Sequence, residues 1–396
     1  MKDKSSRAMG KRQGTGRPLP VCRQLSLFTC HLPLRPSSHP AHPVHPAFSL
    51  LLACALAVAG GGARPALGDE AEAAVKKYQD KADAALDKAL AYLARHQLKD
   101  GSFESGMPQN SGVTGLSVMA FLSKGHTPGT GVYGDVINRG IDFVLDTQKP
   151  NGLLVGRTIS HGPMYCHTIC TLMLSEVSGM VDRDRQKRID EALGKALKLV
   201  LAAQKAPKDN PAHRGGWRYQ SDSRDSDISC SGWAVMSLRS ARNNGAAVPK
   251  EAVDEALKFI LSCRTPDGGF GYQGPVSPGL ARTGTALLCL ELCGRHGDAA
   301  AGAAGRWIID HVPRQFGDAH FYYGMYYCSQ GMFQLGGKFW ETWAAAMYPM
   351  MLKQQQPDGS WPQGVGNEAT AGPCYSTAMG VLALSVSCRQ LPIYQR

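Results

Sequence analysis

Along residues 71–396, two kinds of segment alternate. The first is amphipathic at helical spacing. In 250–263, Val253, Ala256, Leu257, Ile260 and Leu261 fall on one face, while Lys250, Glu251, Asp254, Glu255 and Lys258 take the other. Segments 71–97, 135–148, 184–204 and 299–312 share this character, and 338–356 is a more apolar version. The second kind is nearly uncharged and rich in Gly, Ala, Ser, Thr, Cys and Met: 112–123, 165–178, 229–243, 281–293, 325–335 and 373–388. A helix that is apolar on every side must be buried, and small side chains let backbones approach closely. The pattern therefore predicts an outer ring of amphipathic helices around an inner ring of small-residue helices. Strand signals are almost absent. The expected fold is all-α, an α/α toroid of about six helical hairpins.

A spaced motif links the two kinds of segment. Residues 88–103 read Lys88-Ala89-x-x-Tyr92-Leu93-x-x-x-Gln97-x-x-x-Gly101-x-Phe103. Residues 139–154 repeat it as Arg139-Gly140-x-x-Phe143-Val144-x-x-x-Gln148-x-x-x-Gly152-x-Leu154. Further copies run through Gln204 to Gly215-x-Trp217 with a polar insert, and from Ala256 through Arg264, in the Gln position, to Gly268-x-Phe270. The last, Gln355-x-x-x-Gly359-x-Trp361, keeps only its second half. The glycines at 101, 152, 215 and 268 are 51, 63 and 53 residues apart; the next step, of 91, leaves room for a degenerate copy near Gly317. Such a period marks stacked copies of one supersecondary unit. Asp or Asn before Gly at 100–101, 151–152, 267–268 and 358–359 suits a helix that ends in a left-handed residue. The preceding Gln can bond backbone groups left unpaired at helix ends.

Residues 1–68 differ. They begin basic, pass through His39-Pro40, His42-Pro43 and His45-Pro46, and end in an apolar run from Ala47 to Gly62. The run is short for a membrane span of about 20 residues and fits a signal-peptide core, with Ala66-x-Gly68 as the cleavage site. An uncleaved anchor is the second reading and a lipoprotein Cys54 a third. The expected organisation is a removable leader over 1–68, export to a periplasmic or extracellular setting, and one toroid domain over 69–396. The leader carries nine Lys/Arg and one Asp, leaving 34 basic against 31 acidic residues, so the overall charge of +11 does not argue for nucleic acid. Nine cysteines follow the leader. An odd number in a large apolar domain reads as buried thiols rather than a disulfide framework.

The Lys/Arg-Gly/Ala-x-x-aromatic-aliphatic-x-x-x-Gln-x-x-x-Gly-x-Trp spacing resembles the QW motif of the prenyltransferase/squalene cyclase superfamily. The resemblance, to prenyltransferase/squalene oxidase-type repeats, covers roughly residues 71–390. It implies an isoprenoid or other apolar lipid bound or cyclised in a central cavity. The alternative is a non-catalytic extracytoplasmic scaffold for protein, peptide or lipid. Either way no cofactor and no nucleic acid is expected, a protein partner stays open, and so does peripheral membrane contact.

Candidate chemistry gathers in Gly215-Gly216-Trp217-Arg218-Tyr219, Asp222, Asp225, Asp227 and Ser231-Gly232-Trp233. Class II terpene cyclases carry an Asp-x-Asp-Asp motif at a similar point, whose middle Asp protonates an alkene. That chemistry needs a protonated carboxyl in a dry cavity and aromatic faces for the cation. Asp225-x-Asp227 supplies two of the three carboxylates, with Ile228 in the last place. The bland reading is that Asp225 or Asp227 caps the following helix. Trp217, Tyr219, Trp233, Tyr323 and Tyr326 are the candidate pocket aromatics, with core filling as the alternative for the last two. Protein prenyltransferases bind zinc through Asp-x-Cys and a distant His. His167 and Cys374 are the weak counterparts here, with Gly372 where the Asp should stand, and two ligands make no zinc site. No metal is expected.

Overall fold

The computed structural model describes residues 67–159, 161–317 and 319–395, with side chains from Lys76 onward. The leader reading therefore falls, apart from Leu67 and Gly68, outside the described residues. Among the described residues there are twelve α-helices and no strand. They are α1 (Leu67–Arg95), α2 (Ser111–Ser123), α3 (Gly134–Asp146), α4 (Pro163–Val177), α5 (Arg183–Gln204), α6 (Ile228–Asn243), α7 (Lys250–Ser262), α8 (Leu280–Leu292), α9 (Ala299–Asp310), α10 (Phe321–Leu335), α11 (Gly337–Gln354) and α12 (Pro373–Leu384).

The even-numbered helices form the inner ring. Each packs on the next, and α12 returns to α2. All thirteen residues of α2 are buried. Only small residues allow this: a Cβ on Gly284 of α8 would lie 2.6 Å from Cys328 Sγ and 2.8 Å from its backbone nitrogen on α10. The odd-numbered helices lie outside. In α3, Ile137, Gly140, Ile141, Phe143, Val144 and Leu145 are buried while Asp135, Asp142 and Asp146 are not. α1 packs against α11, which closes the outer ring. α10 begins at Phe321, four residues earlier than its sequence pattern predicts, because its first turn is aromatic rather than small.

The repeated motif is the staple between units. Gln97 Nε2 donates to Gly101 O in its own turn (3.1 Å) and to Val136 O on the next outer helix (2.8 Å). Gln148 reaches Gly152 O and Ala192 O, Gln204 reaches Gly215 O and Ala252 O, and Gln355 reaches Gly359 O and Ala85 O. The last pair joins the final repeat to α1. The turn glycine has φ of +88° at Gly101 and +95° at Gly359. A Cβ there would lie 2.3 Å from Arg139 O or Lys88 O, so glycine is required twice over. In the fourth unit Arg264 replaces Gln, and its buried Nε has no hydrogen-bond partner.

Each motif's aromatic or leucine is also pinned to the inner ring. The amides of Phe103, Trp217, Phe270 and Trp361 donate to the hydroxyls of Thr114, Ser231, Thr283 and Thr377. The amide of Leu154 donates to His167 Nδ1 (3.1 Å). Beyond α12, residues 385–395 turn back beneath the inner ring. Ile393 N–H donates to the buried carboxylate of Glu176 on α4 (3.1 Å), and the Tyr394 and Tyr326 hydroxyls pair at 2.5 Å.

A cavity at the N-termini of the inner helices

All six inner helices begin at the same end, and a cavity of about 370 Å³ lies among their first turns. Val113 and Leu116 of α2 and Ile169 of α4 give it an apolar side. Tyr165 of α4, Trp233 of α6, Tyr323 of α10 and Tyr375 of α12 give it an aromatic one, joined by Tyr219 and Tyr272 from the inter-helix loops. His161, Arg282, His320 and Asn367 also belong to its wall. Trp233 meets Tyr323 edge-on at 6.3 Å between ring centroids and stacks on Tyr326 at 5.6 Å. The Tyr219 and Tyr272 hydroxyls bond each other, and the Arg218 guanidinium lies over both rings, 4.6 and 5.5 Å from their centroids.

Three of the five expected pocket aromatics, Tyr219, Trp233 and Tyr323, line this space. Trp217 does not. Its indole N–H donates to Val200 O at 2.8 Å, so the ring is locked against the outer helix α5. Tyr326 does not either. It lies one helical turn below Tyr323, under Trp233, with its hydroxyl held by Tyr394.

The two aspartates lie outside the cavity lining. Asp227 is the N-cap of α6: its Oδ1 accepts from Cys230 N–H at 2.8 Å. Its other oxygen has no hydrogen bond, and Arg218 Nε stands 3.7 Å away. Burial raises its carboxyl to about 6, against the pull of the Cys230 amide and Arg218. Asp225 is half-exposed, paired with Arg218 Nη1 at 2.7 Å and with Gln273 Nε2 at 3.0 Å.

The carboxylate that does line the cavity, Glu368, was missed in the sequence. It lies on a 3₁₀ turn (Gly366–Ala371), where no periodic pattern marks it. It caps α10 from a distance, accepting from the amides of Tyr323 (2.9 Å) and Tyr322 (3.3 Å) and from the Tyr375 hydroxyl (3.2 Å). Burial raises its pKa, and those three donors oppose the rise.

Neither weak metal candidate is available as a ligand. His167 accepts through Nδ1 and therefore donates through Nε2, to Ala196 O at 3.2 Å. It occupies the place held by Thr or Ser in the other units, and burial lowers its pKa to about 4. Cys374 is buried in the first turn of α12, its thiol pushed up to about 12 chiefly by burial. Among the described residues, no three His, Cys, Asp or Glu side chains converge. The nine cysteines among the described residues are all free thiols, seven of them buried.

Six inner helices around one cavity at their N-terminal end, stapled through an outer ring, define an α/α toroid. The family described as the prenyltransferase alpha-alpha toroid domain matches residues 79–317, and the chain belongs to it. No curated protein matches the sequence. Among solved structures, the type II terpene cyclase MstE from Scytonema, in complex with merosterolic acid A (product), is 15% identical with a TM-score of 0.52. That match covers 79% of this chain and 98% of the cyclase. An inactive variant of an alpha-1,6-mannanase from Salegentibacter sp. HEL1_6, in complex with alpha-1,6-mannotriose, is 9% identical. Its TM-score is 0.56, and the match covers 79% and 99% of the two chains. A glycosidase in complex with glucose is 12% identical with a TM-score of 0.52, over 78% and 97%. At such identities the likeness concerns the fold alone.

Proposed function

We propose that this toroid binds an isoprenoid-type apolar lipid in its central cavity and does not cyclise it through Asp225 or Asp227. One observation carries the reading: a single wall built from all six inner helices combines Val113, Leu116 and Ile169 with Trp233 and five tyrosines. Such a surface offers apolar area and π-faces with a few fixed polar groups, the usual composition of a small-molecule site. Proton-initiated cyclisation needs an acid in contact with the alkene, and the aspartates of the segment expected to supply it are spent on a helix cap and an ion pair. Glycoside hydrolysis needs two carboxyl groups flanking one bond, and among the described residues Glu368 alone brings a carboxylate to this wall. The MstE enzyme has been captured with geranylgeranyl dihydroxybenzoate as substrate, which lends the lipid class some support. An exported setting, expected from the apolar run Ala47–Gly62, belongs to the same proposal.

The test is calorimetric titration of the delipidated chain with farnesol, a fifteen-carbon isoprenoid. Saturable one-to-one binding is expected, and Ile169→Trp, which fills the apolar side of the cavity, abolishes it without lowering thermal stability by more than a few degrees. Absence of saturable binding, or binding indifferent to that substitution, overturns the reading.

A further inference from the structure

Two arginines flank Tyr272, and their surroundings differ. Arg218, over one side of the tyrosine pair, has Asp225 at 2.7 Å and Asp227 at 3.7 Å. Arg282, in the first turn of α8, lines the cavity with its guanidinium 5.4 Å from the Tyr272 ring centroid. Its one side-chain hydrogen bond goes to Ser277 O at 2.7 Å, and among the described residues no carboxylate pairs with it. Glu368, on the same wall, does not compensate it. That carboxylate already takes three donors from α10 and α12 and forms no ion pair with Arg282.

The rest of the wall has the same polarity. The amino ends of six parallel helices surround the cavity, and the partial positive charge of their unpaired amides favours an anion there. Asn110, Asp227 and Glu368 satisfy α2, α6 and α10, whereas α4, α8 and α12 start at glycines with no side-chain cap. Trp233 lines the cavity, and its buried indole N–H has no acceptor. The Arg282 guanidinium, the Trp233 indole N–H and the uncapped starts of α4, α8 and α12 thus offer donors around a largely apolar space.

Resting on the lipid-binding reading, we infer that Arg282 selects the ligand's head group and that this group is a single carboxylate. The charge count limits it to one negative charge. Among the described residues Arg282 is the one Lys or Arg on the wall, and Glu368 adds a carboxylate of its own. His320 is held below its ordinary pKa by burial, with Arg282 and His161 adding to the effect, so it contributes no charge near neutrality. A diphosphate would bring two or three negative charges to one guanidinium and leave most of them uncompensated in a partly dry site. A carboxylate matches the planar fork of one arginine.

The experiment titrates the full chain at pH 8 with farnesol, farnesoic acid and farnesyl diphosphate, and repeats it with Arg282→Gln and Arg282→Lys. Farnesoic acid is expected to bind at least about ten-fold tighter than farnesol, as one charge-assisted pair warrants, and the diphosphate no tighter than the acid. Arg282→Gln removes the preference for the acid, bringing its affinity level with that of farnesol for the same variant, and Arg282→Lys keeps part of the preference. Farnesol binding as tightly as the acid, a diphosphate preference, or an acid preference that survives Arg282→Gln overturns this inference and leaves the lipid cavity standing. If none of the three binds, both readings fall.

Discussion

The staple between repeats can be tested in both directions, because the fourth unit keeps the turn glycine, Gly268, but carries Arg264 in place of the glutamine. Gln204 is the most buried of the four stapling glutamines, and its Nε2 donates to Gly215 O at 2.8 Å and to Ala252 O at 2.7 Å. Gln204→Ala removes two hydrogen bonds, each worth about 1 kcal/mol net, and leaves the Gly215 carbonyl without that donor, for roughly another 1 kcal/mol. The expected loss is about 3 kcal/mol. Gln355→Ala makes the comparable cut at the ring closure, but Gln355 is half-exposed, so water replaces part of what is lost and about 2 kcal/mol is expected. The converse change is Arg264→Gln. In the four stapled units the glutamine bonds a carbonyl three residues before the one that packs on the turn glycine: 136 and 139, 192 and 195, 252 and 255, 85 and 88. Gly268 packs on Ala303 O, so the fourth unit presents Ala300 O to residue 264. A glutamine there completes the staple and removes a buried orphan, and a gain of about 1 kcal/mol is expected. Urea unfolding monitored by circular dichroism, read as shifts in midpoint at constant slope, measures all three. If Arg264→Gln fails to stabilise while Gln204→Ala costs its full amount, the staple is not a transferable module and the account of the repeat is wrong.

Two further outcomes follow from the buried carboxyl groups. Asp227→Ala removes the α6 cap and costs about 1–2 kcal/mol, Asp227→Asn costs less because Asn also caps, and neither shifts farnesol affinity by more than about two-fold; squalene turnover that disappears specifically in Asp227→Asn would restore that residue as an acid. Glu176, raised to about 7 by burial against the opposing Ser240 hydroxyl and Ile393 amide, keeps its proton in the native state after the unfolded chain has lost it near pH 4.3. The native state thus binds more protons, and this group's contribution falls as pH rises from about 4.3 to about 7. Glu176→Gln abolishes that fall, so urea unfolding at pH 5 and pH 8 is expected to show the variant gaining roughly 2 kcal/mol on the parent between the two, and a gap independent of pH refutes it.

The helix pairs, the turns and the two rings were legible in the chain because each rests on short spacings. Gln97 and Gly101 are four residues apart and bond each other directly. The second acceptor of each glutamine was not legible, since Val136 O is a backbone atom 39 residues away whose identity leaves no mark. His167 shows the same limit. It stands where other units place Thr114, Ser231, Thr283 and Thr377, but the distance from the turn residue varies from 11 to 16, so the equivalence emerges only once the loops are folded. Depth along a helix was hidden too: Tyr323 and Tyr326 are three apart and alike in character, yet one lines the cavity and the other supports it from below.

Lapses in the repeat coincide with the polar groups of the cavity. The fifth unit has no Gln-x-x-x-Gly turn, and its inner helix instead starts at the left-handed His320 (φ +61°), with Glu368 capping it from the loop before α12. That substitution of a distant cap for a local turn is what brings a carboxylate to the mouth. The insert in the third unit acts similarly. Its 3₁₀ turn at Pro211–His213 displaces the bridge, so Trp217 pairs with Asp227 instead of with its own glutamine, and the following residues carry Arg218 and Tyr219 to the rim. A perfectly repeating toroid would have six equivalent Ser/Thr pins around its mouth and nothing to distinguish one side from another. The two irregular units help make this mouth asymmetric, with an apolar side at α2 and α4 facing Arg282 of α8 and the Glu368 carboxylate that caps α10, an asymmetry that suits the proposed ligand with a distinct head and tail.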